Sequence, residues 1–198
     1  MGEFAEMEGL VYDLPSDQII APRPINATDI ILGLDFGFHN PAAGVVIRID
    51  SDNVYYLTDE YYRTGRIQNE LEDDLRALRN TVPFREVYPD NEDPARIESM
   101  KRAGFSCREV DKNIELGIDK VRELIRKRQF FVFNTCKSTL DEFNSYRYDP
   151  EKPKEEPVKE NDHLMDAIRY AIYNHNAKVM QMPKPTTGLV KPFPGMAA

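Results

Sequence analysis

Apolar positions follow two different periods along this chain, and the switches between them mark out its elements. Residues 30–36, 44–49 and 53–62 are dense in β-branched and aromatic side chains, with His39-Asn40-Pro41 and Asp50-Ser51-Asp52 between them. Runs of that kind joined by short turns predict an antiparallel meander. Ile67, Leu71, Leu75 and Leu78 then recur at helical spacing, so an amphipathic helix is expected over 65–80, lying on one face of the sheet. A short strand over 85–88 stops at Pro89-Asp90. Asp93 followed by Pro94 reads as an N-cap and first helical position, and Gly104 closes that helix. Residues 105–110 read as another strand. Ile114, Ile118, Val121 and Ile125 share one face of a further helix, with Lys120, Arg122, Arg126, Lys127 and Arg128 on its other side. A strand over 130–134 and a short helix around Leu140 and Phe143 follow. Residues 145–160, rich in proline and charge, read as a loop or exposed hairpin. The last helix starts at Asn161 or Asp162 and runs to about 176, burying Leu164, Met165, Ile168, Ala171 and Ile172.

Meander, helix, then alternating strand and helix predicts an α/β fold built on one mixed β-sheet flanked by helices. Its first strand is central, with the hairpin strands on one side and parallel strands on the other. Residues 1–29, interrupted by Pro15, Pro22 and Pro24, read as an extended lead-in. Residues 30–176 form the domain, and 177–198, with Pro183, Pro185, Pro192 and Pro194, read as a flexible tail.

Composition narrows the class. The chain has 198 residues, 41% hydrophobic and 30% charged, and no run approaches the roughly 18 to 20 apolar residues of a membrane span. Cys107 and Cys136 are isolated from each other, so neither a zinc site nor a disulfide framework is suggested. A formal net charge of −8 argues against a general polyanion-coating protein. It is compatible with a site made of carboxylates and divalent metal, which is acidic before metal binds. The basic helix face is therefore either solvated surface or a face turned to nucleic acid.

Three carboxylates stand out. Asp35 ends the apolar run I-I-L-G-L-D-F-G, where a buried charge needs a partner or a metal, and Asp90 directly follows the fourth strand. Parallel neighbouring strands would bring both to one sheet edge. Asp166, at the margin of the last helix's apolar stripe, would point to the same edge. Such a cluster raises its own pKa values unless loaded with cations, and hard oxygen ligands select Mg²⁺ or Mn²⁺. Two ions about 3.5–4 Å apart would activate a water and stabilise the leaving oxygen of a phosphodiester. His163, three residues before Asp166, would serve as a proton carrier or extra ligand, unless it is simply packed. Asp162 is a helix cap before it is a ligand. Glu92 is within reach of a second metal. His39 and His175 read as structural, the latter at a helix C-terminus.

The motifs G-L-D-F-G-F-H-N-P-A-A, Y-P-D-N-E-D-P-A-R-I-E-S-M-K-R-A-G-F, N-T-C-K-S-T-L-D-E-F and N-D-H-L-M-D-A-I-R-Y-A resemble, in order and spacing, the nuclease domain of the large terminase subunit of tailed bacteriophages. The resemblance covers roughly residues 30 to 175. It implies an RNase H-like fold and metal-dependent cutting of double-stranded DNA during genome packaging in the cytoplasm of the infected bacterial host. It implies Asp35, Asp90 and Asp166 as metal ligands, His163 beside the metals, and residues 145–160 as a variable segment that touches DNA. Full-length members carry an N-terminal packaging ATPase and work with a small terminase subunit and a portal. No Walker A motif, G-x-x-x-x-G-K followed by Ser or Thr, occurs here. The chain is therefore expected to be the nuclease half, with 1–29 as linker from an absent motor.

Rival readings are a Holliday-junction-resolvase-like nuclease, an actin or sugar-kinase type nucleotide-binding domain, and a non-catalytic RNase H-like scaffold. The kinase type needs a second glycine-rich phosphate turn, which the sequence lacks. The scaffold requires that the three acids fail to converge.

Overall fold

Strand β2 (Ala27–Asp35) determines the architecture, because its alternating side chains serve two different layers. The computed structural model describes residues 9–152 and 155–181, with 177–181 described by backbone alone; the rest of the expected tail, 182–198, lies outside the described residues. The remaining strands are β1 (Ile19–Ile20), β3 (Ala42–Asp50), β4 (Tyr55–Arg63), β5 (Glu86–Pro89) and β6 (Phe130–Phe133). The helices are α1 (Gln68–Thr81), α2 (Pro94–Arg102), α3 (Ile114–Arg126), α4 (Lys137–Ser145) and α5 (His163–Gln181).

The six strands form one sheet in the order β1-β6-β4-β3-β2-β5. The expected meander is present, since β2 pairs antiparallel with β3 and β3 with β4, while β5 lies parallel to β2. Two expectations change. Strand β6 does not join the β5 side but pairs parallel with β4 at the far end of the meander, and β1, within the lead-in, adds parallel to β6. The expected strand over 105–110 makes only a single bridge, Cys107 to Val87. Side chains take the backbone groups beyond it: Asn91 Nδ2 donates to the Val110 carbonyl (2.7 Å), and Asn174 holds both the amide and the carbonyl of Asp111.

In β2, Leu32 and Leu34 belong to a core shared with Leu71, Leu75 and Met100 of α1 and α2. Ile31 faces the opposite layer, whose core joins Val121 and Leu124 of α3, Phe143 of α4 and Leu164, Ile168 and Ile172 of α5. Gly33 and Asp35 follow Ile31 on that second face. A Cβ at Gly33 would run into the Ala167 carbonyl oxygen and come within 3.0 Å of the Ala171 Cβ, so only glycine lets α5 lie directly on the strand.

Local signals account for several helix ends. Asp93 Oδ1 accepts from the amides of Ala95 and Arg96 (3.1 Å each), Pro94 opens α2, and Gly104 at φ +88° follows it. Asn113 caps α3 by accepting from the Leu116 amide at 2.9 Å. Helix α1 starts three residues later than its apolar spacing suggests because Gly65 takes φ +69°, a turn conformation. Helix α5 runs beyond the expected end at 176 to Gln181, so His175 is not at a C-terminus. It is buried mid-helix, with Nδ1 3.2 Å from the Tyr88 hydroxyl.

The described part of the lead-in is packed. Val11 and Tyr12 are in the core, and Gln18 Nε2 donates to the Phe130 carbonyl at 2.5 Å. Four of the five basic side chains on and just after α3 have intramolecular partners: Lys120 and Lys127 meet Glu123, Arg122 donates to the Val11 carbonyl, and Arg128 meets Asp17. Among the described residues no helix is long and apolar enough to cross a membrane.

Gly33→Ala is expected to lose roughly 2 kcal/mol or more in urea unfolding, because overpacking there displaces a whole helix. Gly44→Ala is the matched control. Its Cβ would meet Leu32 and Tyr61 at 3.4–3.5 Å, ordinary contact, and stability should stay within about 1 kcal/mol of the parent.

Candidate active site

The ends of β2 and β5 and the first turns of α5 surround an open cavity of about 450 Å³. Because β2 and β5 are parallel neighbours, their carboxyl ends coincide, and the ladder runs on to the Asp90 amide, which donates to the Leu34 carbonyl at 2.8 Å. Asp35 and Asp90 therefore emerge side by side. Asp166 and His163 come from α5, where spacing i, i+3 puts them on one side. All four line the cavity, together with Glu92, Asp162, Lys112, Arg169 and Tyr170.

Each carboxylate has its own partner. Asp35 Oδ2 lies 2.9 Å from His163 Nδ1. Asp90 Oδ1 accepts from the Glu92 amide at 2.9 Å and from Lys112 Nζ at 2.8 Å. Asp166 Oδ1 accepts from Arg169 Nη2 at 2.5 Å, and its Oδ2 from the Tyr170 hydroxyl at 3.2 Å. Among the described residues no group of three or more His, Cys, Asp or Glu stands close enough together to hold a metal ion. The donor set is nonetheless all hard oxygen, which suits Mg²⁺ or Mn²⁺ in kind. The carboxylates surround one space and face side-chain cations rather than one another.

Burial sets the electrostatics. Asp35 is 8% exposed, and desolvation pushes its carboxyl up to about 6 against the opposing pull of the His163 hydrogen bond. That same bond raises His163 above its ordinary value, and burial raises Asp162. Burial also opposes the charge on Arg169, 3% exposed, but its pairing with Asp166 outweighs the effect and keeps it firmly protonated. Gly117 of α3 makes room for it: a Cβ there would strike the Arg169 stem.

The α5 N-terminus is capped from a distance. Asp162 stands at the N-cap position, its carbonyl accepting from the Asp166 amide at 2.8 Å, and Glu142 Oε2 of α4 accepts from the Leu164 and Met165 amides at 2.8 and 3.2 Å. Helix α4 is held likewise by Glu60 of β4, whose carboxylate accepts from the Ser138 and Thr139 amides at 3.0 and 2.8 Å. Sequence reasoning missed Lys112, Glu142, Arg169 and Tyr170. Arg169 and Tyr170 had a signal, since i+3 and i+4 from Asp166 is pairing distance on a helix. Lys112 and Glu142 act across the fold and had none.

The mixed sheet with helices on both faces and three carboxylates at one edge is an RNase H-like domain of the terminase type. The chain belongs to the terminase RNaseH-like domain family, which matches residues 32–175. It is 28% identical over 178 residues to the large terminase subunit of Salmonella phage P22, a match covering 82% of this chain and 35% of that protein. The chain thus spans little more than a third of the length of the curated relatives it matches. In structure it superposes on the large terminase of thermophilic bacteriophage D6E with a TM-score of 0.78 at 24% identity, over 84% of this chain and 45% of that one. The large terminase nuclease domain of bacteriophage SPP1 with bound Mn aligns with a TM-score of 0.65 at 20% identity, over 83% and 99% of the two chains.

Burial pushes the Glu142 carboxyl up to about 7, although the two α5 amides oppose the rise. A folded pKa above the unfolded value of about 4.3 stabilises the protein at low pH, and that contribution disappears as pH rises through about 7. Glu142→Gln carries no charge at any pH. Its thermal stability relative to the parent should therefore improve steadily from pH 5 to pH 8, by ~1–3 kcal/mol in all. A pH-independent difference in melting would show that burial does not govern this carboxylate.

Proposed function

We propose that this chain is the endonuclease unit of a phage DNA-packaging terminase large subunit. It hydrolyses phosphodiester bonds of double-stranded DNA with little sequence preference by a two-metal route. The observation that carries this reading is the convergence of Asp35, Asp90 and Asp166, from two parallel strands and one helix, on a single open cavity. These three would hold Mg²⁺ or Mn²⁺, with Glu92 and Asp162 as neighbouring oxygen donors. The bound metal would supply an activated water and neutralise charge at the leaving oxygen.

The chain's own residues do the rest. Arg169 and Tyr170 fix the rotamer of Asp166. His163, oriented through Nδ1 by Asp35, leaves Nε2 as the atom to carry a proton to or from the reacting phosphate. In the whole protein this unit would follow an N-terminal packaging ATPase, act with a small terminase subunit and portal, and work in the cytoplasm of the infected host.

One observation favours a second reading, a non-catalytic scaffold: each acid already has its own side-chain partner, His163, Lys112 or Arg169, and no ready metal cage exists among the described residues. Supercoiled plasmid incubated with Mg²⁺, Mn²⁺ or chelator separates the two. The nuclease reading expects metal-dependent nicking and linearisation. Asp35→Ala and Asp90→Ala should each lower it at least about a hundredfold with melting preserved, Asp166→Ala should lower it as much but also lower melting because Arg169 is left buried without its partner, and His163→Ala should lower it less. No cleavage by the parent chain, even on concentrated DNA in either metal, would leave the scaffold.

A further inference from the structure

Lys112 is the cation of this site with the more exposed contacts. It enters on the loop between α2 and α3, and its main chain is fixed on both sides. Asn174 holds Asp111, the Lys112 carbonyl accepts from Arg169 Nη1 at 3.2 Å, and Asn113 caps α3. Its side chain is not fixed in the same way. The ammonium lies 2.8 Å from Asp90 Oδ1 and 2.5 Å from Glu92 Oε1, with the Tyr170 ring centroid 5.7 Å away. The Glu92 partner is 78% exposed, so that contact is weak, and the lysine side chain itself is 26% exposed. Arg169 is the contrast. Its side chain is 4% exposed and tied to Asp166, so removing it would strand a buried charge.

We propose that Lys112 is a displaceable counter-cation. It holds Asp90 and Glu92 together until a divalent ion takes its place, and its freed ammonium then binds a phosphate oxygen of the nucleic acid at the cavity mouth. The argument rests on the nuclease reading above. Its geometry is direct: one flexible cation bridges two carboxylates that lie two residues apart, both lining the cavity with Asp35 and Asp166. A divalent ion carries twice the charge and accepts more oxygens, so it competes for the same pair. A freed lysine on a four-carbon stem can reach a phosphate as a point charge.

Two variants and one chemical probe test this. Lys112→Gln removes the charge, and Lys112→Met keeps the apolar stem against Tyr170. By isothermal calorimetry both should bind Mn²⁺ about tenfold more tightly than the parent, the factor expected on removing a competing charged hydrogen bond. In Ca²⁺, which supports binding without cutting, both should bind duplex DNA more weakly, with a salt slope smaller by about 0.9 for one lost phosphate contact. A merely structural lysine would lower melting but move neither the metal affinity nor the salt slope. In the parent chain, acetylation of Lys112 read by mass spectrometry should rise when Mn²⁺ is added; this readout does not depend on a variant folding. Mn²⁺ binding by the parent with unchanged affinity in the variants and unchanged Lys112 acetylation would overturn the proposal alone. Mn²⁺ binding by none of the three chains would remove the nuclease reading and the proposal with it.

Discussion

Helix α5 lies on β2 with no side chain between them at Gly33, where the Ala167 carbonyl occupies the place a Cβ would take. That single close approach sets the depth of the helix over the sheet. Two residues along the strand the same face presents Asp35, and one turn back along the helix from Ala167 lies His163, so the 2.9 Å contact between them follows from the period of each element. Ala167 and Ala171 repeat the small-residue contact below. Larger residues there would lift the helix, widen the cavity and separate Asp35 from His163.

Depth alone does not fix a helix; its rotation and axial position also have to be held. Here a chain of carboxylates does so from the sheet outward. Glu60 of β4 caps α4, and Glu142 of α4 caps α5. Glu142 is 4% exposed, and its ionised form is disfavoured by burial more than the two amides favour it. The arrangement is therefore weak as a source of stability, at the usual ~1 kcal/mol of a cap. It is strong as a source of position, because a displaced α5 would leave two amides and a carboxyl buried without partners.

Local patterns carried the meander, the Asp93-Pro94 start of α2 and the apolar stripe of α5, because strand period, capping and helix period are all properties of neighbouring residues. The coincidence of Asp35 and Asp90 at one edge was also legible, since it needs only that β2 and β5 be parallel neighbours. Strand β6 was placed on the wrong side of the sheet because nothing in F-F-V-F says which edge it will join; that depends on how far α3 carries the chain across the face. The 105–110 segment has strand composition, yet Asn91 and Asn174 take the backbone groups a ladder would need. Composition cannot reveal that competition. The same limit hid Lys112 and Glu142, whose partners lie 20 or more residues away.

Charge explains why the acids stand apart. Five carboxylates, Asp35, Asp90, Glu92, Asp162 and Asp166, line one cavity in a chain of net charge −8. Left unpaired, they would repel one another and take up protons. The fold instead gives three of them partners of graded exposure: Arg169 is buried, His163 is part-buried, and Lys112 is the most exposed of the three. The buried one fixes geometry, because it cannot leave without stranding its charge. The most exposed is the one that, on the proposal above, a divalent ion would replace, since buried Asp90 would exchange one cation for another and Glu92 is already open to water. The partners of these acids are therefore part of the same electrostatic design as the acids themselves. On the nuclease reading, an acidic chain with such a site has little attraction for DNA by itself. On the same reading, divalent ions would reverse the local sign of the field where a phosphate approaches, which would tie substrate binding to metal loading through Coulomb forces.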